Sequence, residues 1–141
     1  MISVFIADDH AIIRQGLKQI LSDTADIRLA GEAATGQETL RLVRNGNCDV
    51  LVLDLNMPGM HGSVYANLAL DEADLLLAFG MRFDDRVTGS LDTYAKQAKI
   101  IHIEIDRSEI DKNVKTDVAI NADAKKDLKL LLPRIKPAEN A

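Results

Sequence analysis

Three aspartates lie where short apolar runs end: Asp8 and Asp9 follow Ile2–Ala7, and Asp54 closes Val50–Asp54. If those runs are adjacent strands, three carboxylates converge on one edge of a sheet. Like charges that close are unfavourable until a hard divalent cation neutralises them, and Mg²⁺ is the common oxygen-preferring choice. An aspartate in such a place can also attack phosphorus. The same residues admit a plainer role, because Asp8 and Asp9 could simply start a helix at His10, where carboxylates complement the dipole. On spacing alone the two roles weigh equally.

A second group follows Leu75–Gly80, where Gly80 opens into Met81-Arg82-Phe83-Asp84-Asp85-Arg86. Glycine lets backbone approach a ligand, and Arg82 or Arg86 could hold a phosphate. Near the end of the next apolar run, Glu104 or Asp106 could accept from ribose hydroxyls, as strand-end acids do in dinucleotide folds. A solvated loop of Arg–Asp pairs explains the same residues and, on residue types alone, is favoured.

The elements that must position these groups alternate. Strands are expected at Ile2–Ala7, Ile27–Ala33, Val50–Asp54, Leu75–Gly80, Ile100–Ile105 and Val118–Asn121. Most are continuous Val/Ile/Leu runs, as in strands covered on both faces. Ile13, Leu17, Ile20 and Leu21 form one helical face, and Leu40 and Val43 mark another. Further helices are expected near Val64–Leu70, Leu91–Ala98, Glu109–Asn113 and Ala124–Leu132, with Ser108 and Asp111 as a capping box and Pro133 and Pro137 ending the last. This βαβα order implies an α/β, doubly wound, mostly parallel sheet, with ligands beyond the carboxyl ends of its strands.

Composition narrows the function. The 141 residues are 47% apolar and only 4% aromatic, so the core is expected to be aliphatic. The net charge is −5, and no basic stripe exists for a nucleic-acid backbone. No apolar run reaches about 18 residues, so no membrane span is expected and the chain reads as cytoplasmic. The lone Cys48 is expected to be a small core residue.

Three stretches resemble a response-regulator receiver domain, over about residues 1–60: Val4-Phe5-Ile6-Ala7-Asp8-Asp9-His10, Gly31-Glu32-Ala33, and Leu53-Asp54-Leu55-Asn56-Met57-Pro58-Gly59-Met60. The wording is similar to the subfamily that precedes a helix-turn-helix of the LuxR type. The resemblance implies a flavodoxin-like fold with Asp54 as phosphoacceptor. It also implies Asp9 and Asp54 as direct Mg²⁺ ligands, Asp8 on metal-bound water, and the Asn56 carbonyl as a further ligand. The pattern then stops. A receiver ends its fourth strand with Ser or Thr and its fifth with Lys, whereas here the runs end Leu77-Ala78-Phe79-Gly80 and Ile103-Glu104-Ile105-Asp106. A phosphoryl group adds roughly −1.5 to −2 charges at neutral pH, which these acids would repel. The phosphoacceptor is therefore expected to be vestigial and any Mg²⁺ binding weak.

The remainder is similar to acetohydroxyacid synthase, over about residues 59–132. The similarity is carried by Gly59-Met60-His61-Gly62, Ala73-Asp74-Leu75-Leu76-Leu77-Ala78-Phe79-Gly80, the Arg82–Gly89 run, Ile101-His102-Ile103-Glu104-Ile105-Asp106 with Glu109-Ile110, and Ala122-Asp123. These belong to the second half of that enzyme's FAD-binding central domain. The resemblance implies vestigial FAD contacts at His61, Gly62, Gly80, Arg82, Glu104, Asp106 and Asp123, although His61 reads equally well as a helix cap. In the family FAD is largely structural, and thiamine diphosphate on other domains does the chemistry, so synthase activity is not expected. Asp8, Asp9 and Asp54 would face the region of the FAD pyrophosphate, each like-charge contact costing on the order of 1 kcal/mol. FAD affinity is expected to be weak or nil.

The two resemblances meet at Gly59–Gly62 without a linker. Divergence rarely does this, whereas recombination of related α/β sheets does it directly. The expectation is an engineered chimera forming one domain over residues 1–141: a receiver half (1–60), a synthase half (59–132) and a tail (133–141). Its strands are expected in one sheet ordered 2-1-3-4-5-6. It is expected to be a folding scaffold and not an enzyme, with no required cofactor and no dedicated protein partner beyond a weak homodimer.

Overall fold

The computed structural model describes residues 1–57, 68, 70–83 and 94–134. The expected helix at Val64–Leu70 lies mostly outside them, as do His61, Gly62, Arg86 and Pro137. The chain divides into two compact units, one comprising Met1–Glu72 with Asp85–Lys96, the other Ala73–Asp84 with Gln97–Ala141.

In the first unit, β1 (Ile2–Ala7) runs parallel between β2 (Ile27–Ala33) and β3 (Val50–Leu53), giving the order β2-β1-β3. Val4, Phe5, Ile6 and Ala7 are all buried, as a central strand covered on both faces requires. Ala7, Ala33 and Met57 form a core cluster with Leu42, Leu51, Leu53 and Leu55 packed on it. Helix α1 (Ala11–Ser22) packs on β2 and β1, and α2 (Gly36–Asn45) does likewise. Thr35 starts α2: its hydroxyl accepts from the Glu38 amide (3.3 Å), while Glu38 accepts from the Ala34 amide (2.9 Å). Phe5 fills the space that Gly46, just past α2, leaves open; a Cβ at Gly46 would lie 2.6 Å from Phe5 Cζ.

In the second unit, β5 (Lys99–Glu104) lies parallel between β4 (Leu75–Phe79) and β6 (Val118–Asn121). His102 on β5 is fully buried, with Nε2 2.9 Å from the Met81 carbonyl. A carbonyl only accepts, so Nε2 carries the proton. Phe83 meets the His102 ring edge-on at 4.9 Å, and Asn113 donates to the Phe83 carbonyl at 2.7 Å. The chain leaving β4 is thus tied down on one side of β5. Helix α3 (Ala124–Leu131) starts at Asp123, whose carboxylate accepts from the Lys126 amide (3.0 Å), and runs into a 3₁₀ turn, Leu132–Arg134.

Both units start an edge strand with the same device. Asp49 donates its amide to the Ser3 carbonyl (3.0 Å) and accepts the Ser3 amide on its carboxylate (2.7 Å). Asp117 does the same to Ile100, at 2.9 and 2.8 Å. Each aspartate closes the ladder at the residue before β3 or β6.

The α/β class and the six strands agree with the sequence, but three expectations need correction. Among the described residues, hydrogen bonding gives two three-stranded sheets, β2-β1-β3 and β4-β5-β6, and not one sheet ordered 2-1-3-4-5-6. Register comes from hydrophobic pattern and turn geometry selected together, and the β3–β4 connection spans the joint, where neither parent supplies a shared register. The helix expected at Glu109–Asn113 is a 3₁₀ turn at Arg107–Glu109, capped by Asp106 and not by Ser108. Asp111, at φ 55°, lies outside helical geometry and accepts from the Thr116 amide and hydroxyl. The helix expected at Leu91–Ala98 is turn over its described residues, with Ala95 at φ 43°.

Candidate metal centre

The ends of β1 and β3 are locked side by side. The Asp8 amide donates to the Ala33 carbonyl (3.2 Å) and the Asp54 amide to the Ala7 carbonyl (2.8 Å), so both ladders run one residue past their strands. This places Asp8, Asp9 and Asp54 together. Asp8, Asp9, His10 and Asp54 each offer one ligand atom, all within 4.8 Å of one another. Asn56 is exposed, and its amide donates to Asp54 Oδ1 at 2.9 Å.

The two aspartates do not cap α1. That helix starts at Ala11 with His10 as N-cap, has no side-chain cap bond, and carries no acid in its first turn. Asp8 Oδ1 instead accepts from the His10 amide (2.7 Å) and lies 3.1 Å from His10 Nδ1. His10 Nδ1 is also 3.0 Å from Asp9 Oδ1. One N–H serves one acceptor well, and Asp9 Oδ1 is a buried oxygen without a hydrogen-bond partner. Stranding a carboxylate oxygen away from both water and donors is costly.

Nearby cations are directed elsewhere. Arg14 donates to the Asp8 carbonyl (2.7 Å), not its carboxylate, and pairs with Glu32 at 3.4 Å. Lys18 pairs with Glu32 at 3.0 Å and, with Arg14, holds that carboxyl below its usual range. Side-chain exposure falls from 61% at His10 to 25% at Asp9 and 10% at Asp8, so the carboxylates are sheltered and the imidazole is the exposed member of the group. A convergent set of acids with one unsatisfied buried oxygen fits a divalent cation. His10 is not among the candidates read from the sequence; the signal was its place next to Asp8-Asp9, one residue before the helix.

The described flavin candidates lie in the second unit. Gly80 adopts φ +58°, with nothing within 4 Å of a Cβ built there, so its backbone is open to approach. The acids already serve the chain: Glu104 accepts from the Asp106 amide (3.0 Å), Asp106 from the Ser108 amide and hydroxyl (2.9 and 2.7 Å), and Asp123 caps α3. A cavity of about 410 Å³ in this unit is lined by Arg107, Ile110, Asp111, Ala119 and Asn121, none of them a flavin candidate. Gly80, Arg82, Glu104, Asp106 and Asp123 all lie in this unit, at or within a few residues of the carboxyl ends of β4, β5 and β6.

Asp106 carries a measurable consequence. The Ser108 hydroxyl and amide hold its carboxyl below the usual range, with Arg82 and Lys112 adding to the effect. A carboxyl depressed by folding contributes stability above its unfolded pKa and loses it as pH falls through the folded value. Carboxyl NMR titration should show an Asp106 midpoint below that of a model aspartate, moving upward in Ser108→Ala. An unchanged midpoint would show that the turn does not hold the charge.

Comparison with known proteins accounts for both ends of the chain. Residues 4–73 match the response regulator receiver domain, and residues 48–131 match the thiamine pyrophosphate enzyme central domain. A maize chloroplastic acetolactate synthase 2 is 50% identical over 108 residues, covering 67% of this chain. The chloroplastic acetolactate synthase 1 of japonica rice is 63% identical over 73 residues, covering 52%. The chain spans 17% and 11% of the length of these two relatives. In fold it resembles the response regulator domain of Thermotoga maritima CheB, at 18% identity and TM-score 0.54, over 97% of this chain and 99% of that one. Among the described residues no helix is long and apolar enough to cross a membrane. The chain belongs to the thiamine pyrophosphate enzyme central domain family across residues 48–131, and is a chimera of that domain with a response-regulator receiver domain.

Proposed function

We propose that this chimera is an engineered fold scaffold with no selected catalytic activity, retaining a divalent-cation centre at Asp8, Asp9, His10 and Asp54. The observation that carries the scaffold reading is the meeting of two unrelated family matches, overlapping only at residues 48–73, on one short chain. The acidic centre came with the receiver part. The residues that would use it did not: β4 runs out through Ala78-Phe79-Gly80 without a hydroxyl, and β5 through Glu104-Ile105-Asp106 without a lysine. A cation bound there would neutralise the clustered carboxylates and bring Asp54 close to a metal-bound phosphate donor. The chain's own residues provide the cradle, through strand-end backbone bonds that hold Asp8 and Asp54 side by side.

A thermal-shift panel tests this reading. A divalent cation at about 100 times its Kd stabilises by about 2.7 kcal/mol, so saturating cation should raise Tm in the parent and not in Asp54→Asn. FAD, ADP, and beryllofluoride added to Mg²⁺ should produce no further rise. A saturable shift with FAD or ADP would establish a nucleotide-binding module instead. A beryllofluoride increment lost in Asp54→Asn would establish a working phosphoacceptor.

A further inference from the structure

We propose, building on the cation-centre reading above, that His10 is a direct ligand and turns the site toward nitrogen-binding cations of the first transition row (Co²⁺, Ni²⁺, Zn²⁺) relative to Mg²⁺. His10 lies outside the helix that follows it, with extended backbone at φ −81° and ψ 106° and no side-chain cap bond to that helix. Nδ1 sits 3.1 Å from Asp8 Oδ1 and 3.0 Å from Asp9 Oδ1. Ligands at right angles on one ion with bonds of about 2.1 Å are themselves about 3 Å apart. Opposite ligands on such an ion span about 4.2 Å, so a cluster within 4.8 Å closes by about half an ångström at most of its pairs.

A further sign of a missing ligand is Asp9 Oδ1, which is inaccessible to solvent and has no hydrogen bond of its own, lying 3.0 Å from the His10 Nδ1 that Asp8 Oδ1 also engages. A cation beside Nδ1 would satisfy that oxygen and replace the shared proton contact with Asp8. The nitrogen decides the metal class. Mg²⁺ is a hard ion that selects oxygen, whereas imidazole suits Zn²⁺, Ni²⁺ and Co²⁺. Asp8, Asp9 and Asp54 are oxygen donors that any of these ions accepts, so His10 is the discriminating residue.

Ni²⁺ and Co²⁺ bind most mixed sites more tightly than Mg²⁺, so the diagnostic is dependence on His10 and not the order of affinities. Calorimetric titration of the untagged full chain with MgCl₂, CoCl₂ and NiCl₂ should be run on the parent, His10→Ala, His10→Asn and Asp54→Asn. Even outer-shell partners of metal ligands matter by 10–100-fold, so His10→Ala and His10→Asn should each weaken Co²⁺ and Ni²⁺ by about tenfold or more. Mg²⁺ affinity should change little, and His10→Asn, which keeps a polar residue at the helix start, guards against a folding artefact. Co²⁺ should also broaden the His10 ring resonances selectively. Co²⁺ and Ni²⁺ affinities indifferent to both His10 variants, with Mg²⁺ still bound, would overturn this inference and leave the cation centre standing. Failure of all three ions to bind the parent would overturn the cation centre itself.

Discussion

Ile6→Ala should destabilise the first unit by about 2–5 kcal/mol, the range for removing a fully buried aliphatic side chain. Ile6 is 0% exposed and sits on the central strand, opposite Glu32 on one side and Val52 on the other. Its neighbours are fixed by backbone ladders on both sides, so the space left behind cannot collapse freely and a cavity penalty adds to the lost transfer energy. Ile6→Val, which removes one methylene, should cost about 0.5–1.5 kcal/mol. Urea unfolding together with hydrogen exchange of the β1 amides reads both. A loss under about 1 kcal/mol for Ile6→Ala would mean that the β1 core is loosely packed, against the density expected of interiors.

Two glycine substitutions should move stability in opposite directions. At Gly46 a new methyl would meet Phe5 Cζ at 2.6 Å and the Leu42 carbonyl at 2.9 Å. Phe5 is 3% exposed and already touches the space beside Gly31, so it has little room to retreat. Gly46→Ala should cost about 1–3 kcal/mol through overpacking. Gly16 lies inside α1 with nothing within 4 Å of a built Cβ. Gly16→Ala should instead stabilise by about 0.5–1 kcal/mol, because alanine loses less freedom in a helix. Chemical denaturation of the pair separates steric fit from helix propensity; a neutral or stabilising Gly46→Ala would refute the packing described around Phe5, and a destabilising Gly16→Ala the propensity argument.

The strands were legible because parallel strands covered on both faces are written as unbroken Val/Ile/Leu runs, and their ends moved by at most a residue or so. The helices were less so. In α1 the expected apolar face was Ile13, Leu17, Ile20 and Leu21, yet Ile13 and Ile20 are exposed at 45% and 66%. Arg14 and Lys18 are half-buried beside Leu17 and Leu21 because their stems cross the helix surface to reach Glu32 and the Asp8 carbonyl. Long cationic side chains often bury their aliphatic portion this way, and an apolar-only pattern cannot register it. The turn after β5 was misjudged for a related reason. Asp106 and Ser108 are two residues apart, a spacing that favours a local carboxylate-to-amide bond over a helix start.

The metal candidates Asp8, Asp9 and Asp54 were legible because strand ends on a parallel sheet share an edge. His10 was not, since its place beside them depends on where the helix begins, one residue after it. The continuous six-stranded sheet failed for the opposite reason. Each segment carries its own pattern faithfully, but nothing in either pattern refers to the other across the joint.

The aspartates that precede β3 and β6 give that last point a practical form. Each grips both backbone groups of one residue on the central strand, Ser3 in one sheet and Ile100 in the other. A slip of one position would break a carboxylate bond as well as turn every side chain over. Such an aspartate works as an alignment pin that travels with its own piece of chain. Where a protein is cut and rejoined, a break upstream of the pin preserves the pairing, and a break between the pin and its strand discards it.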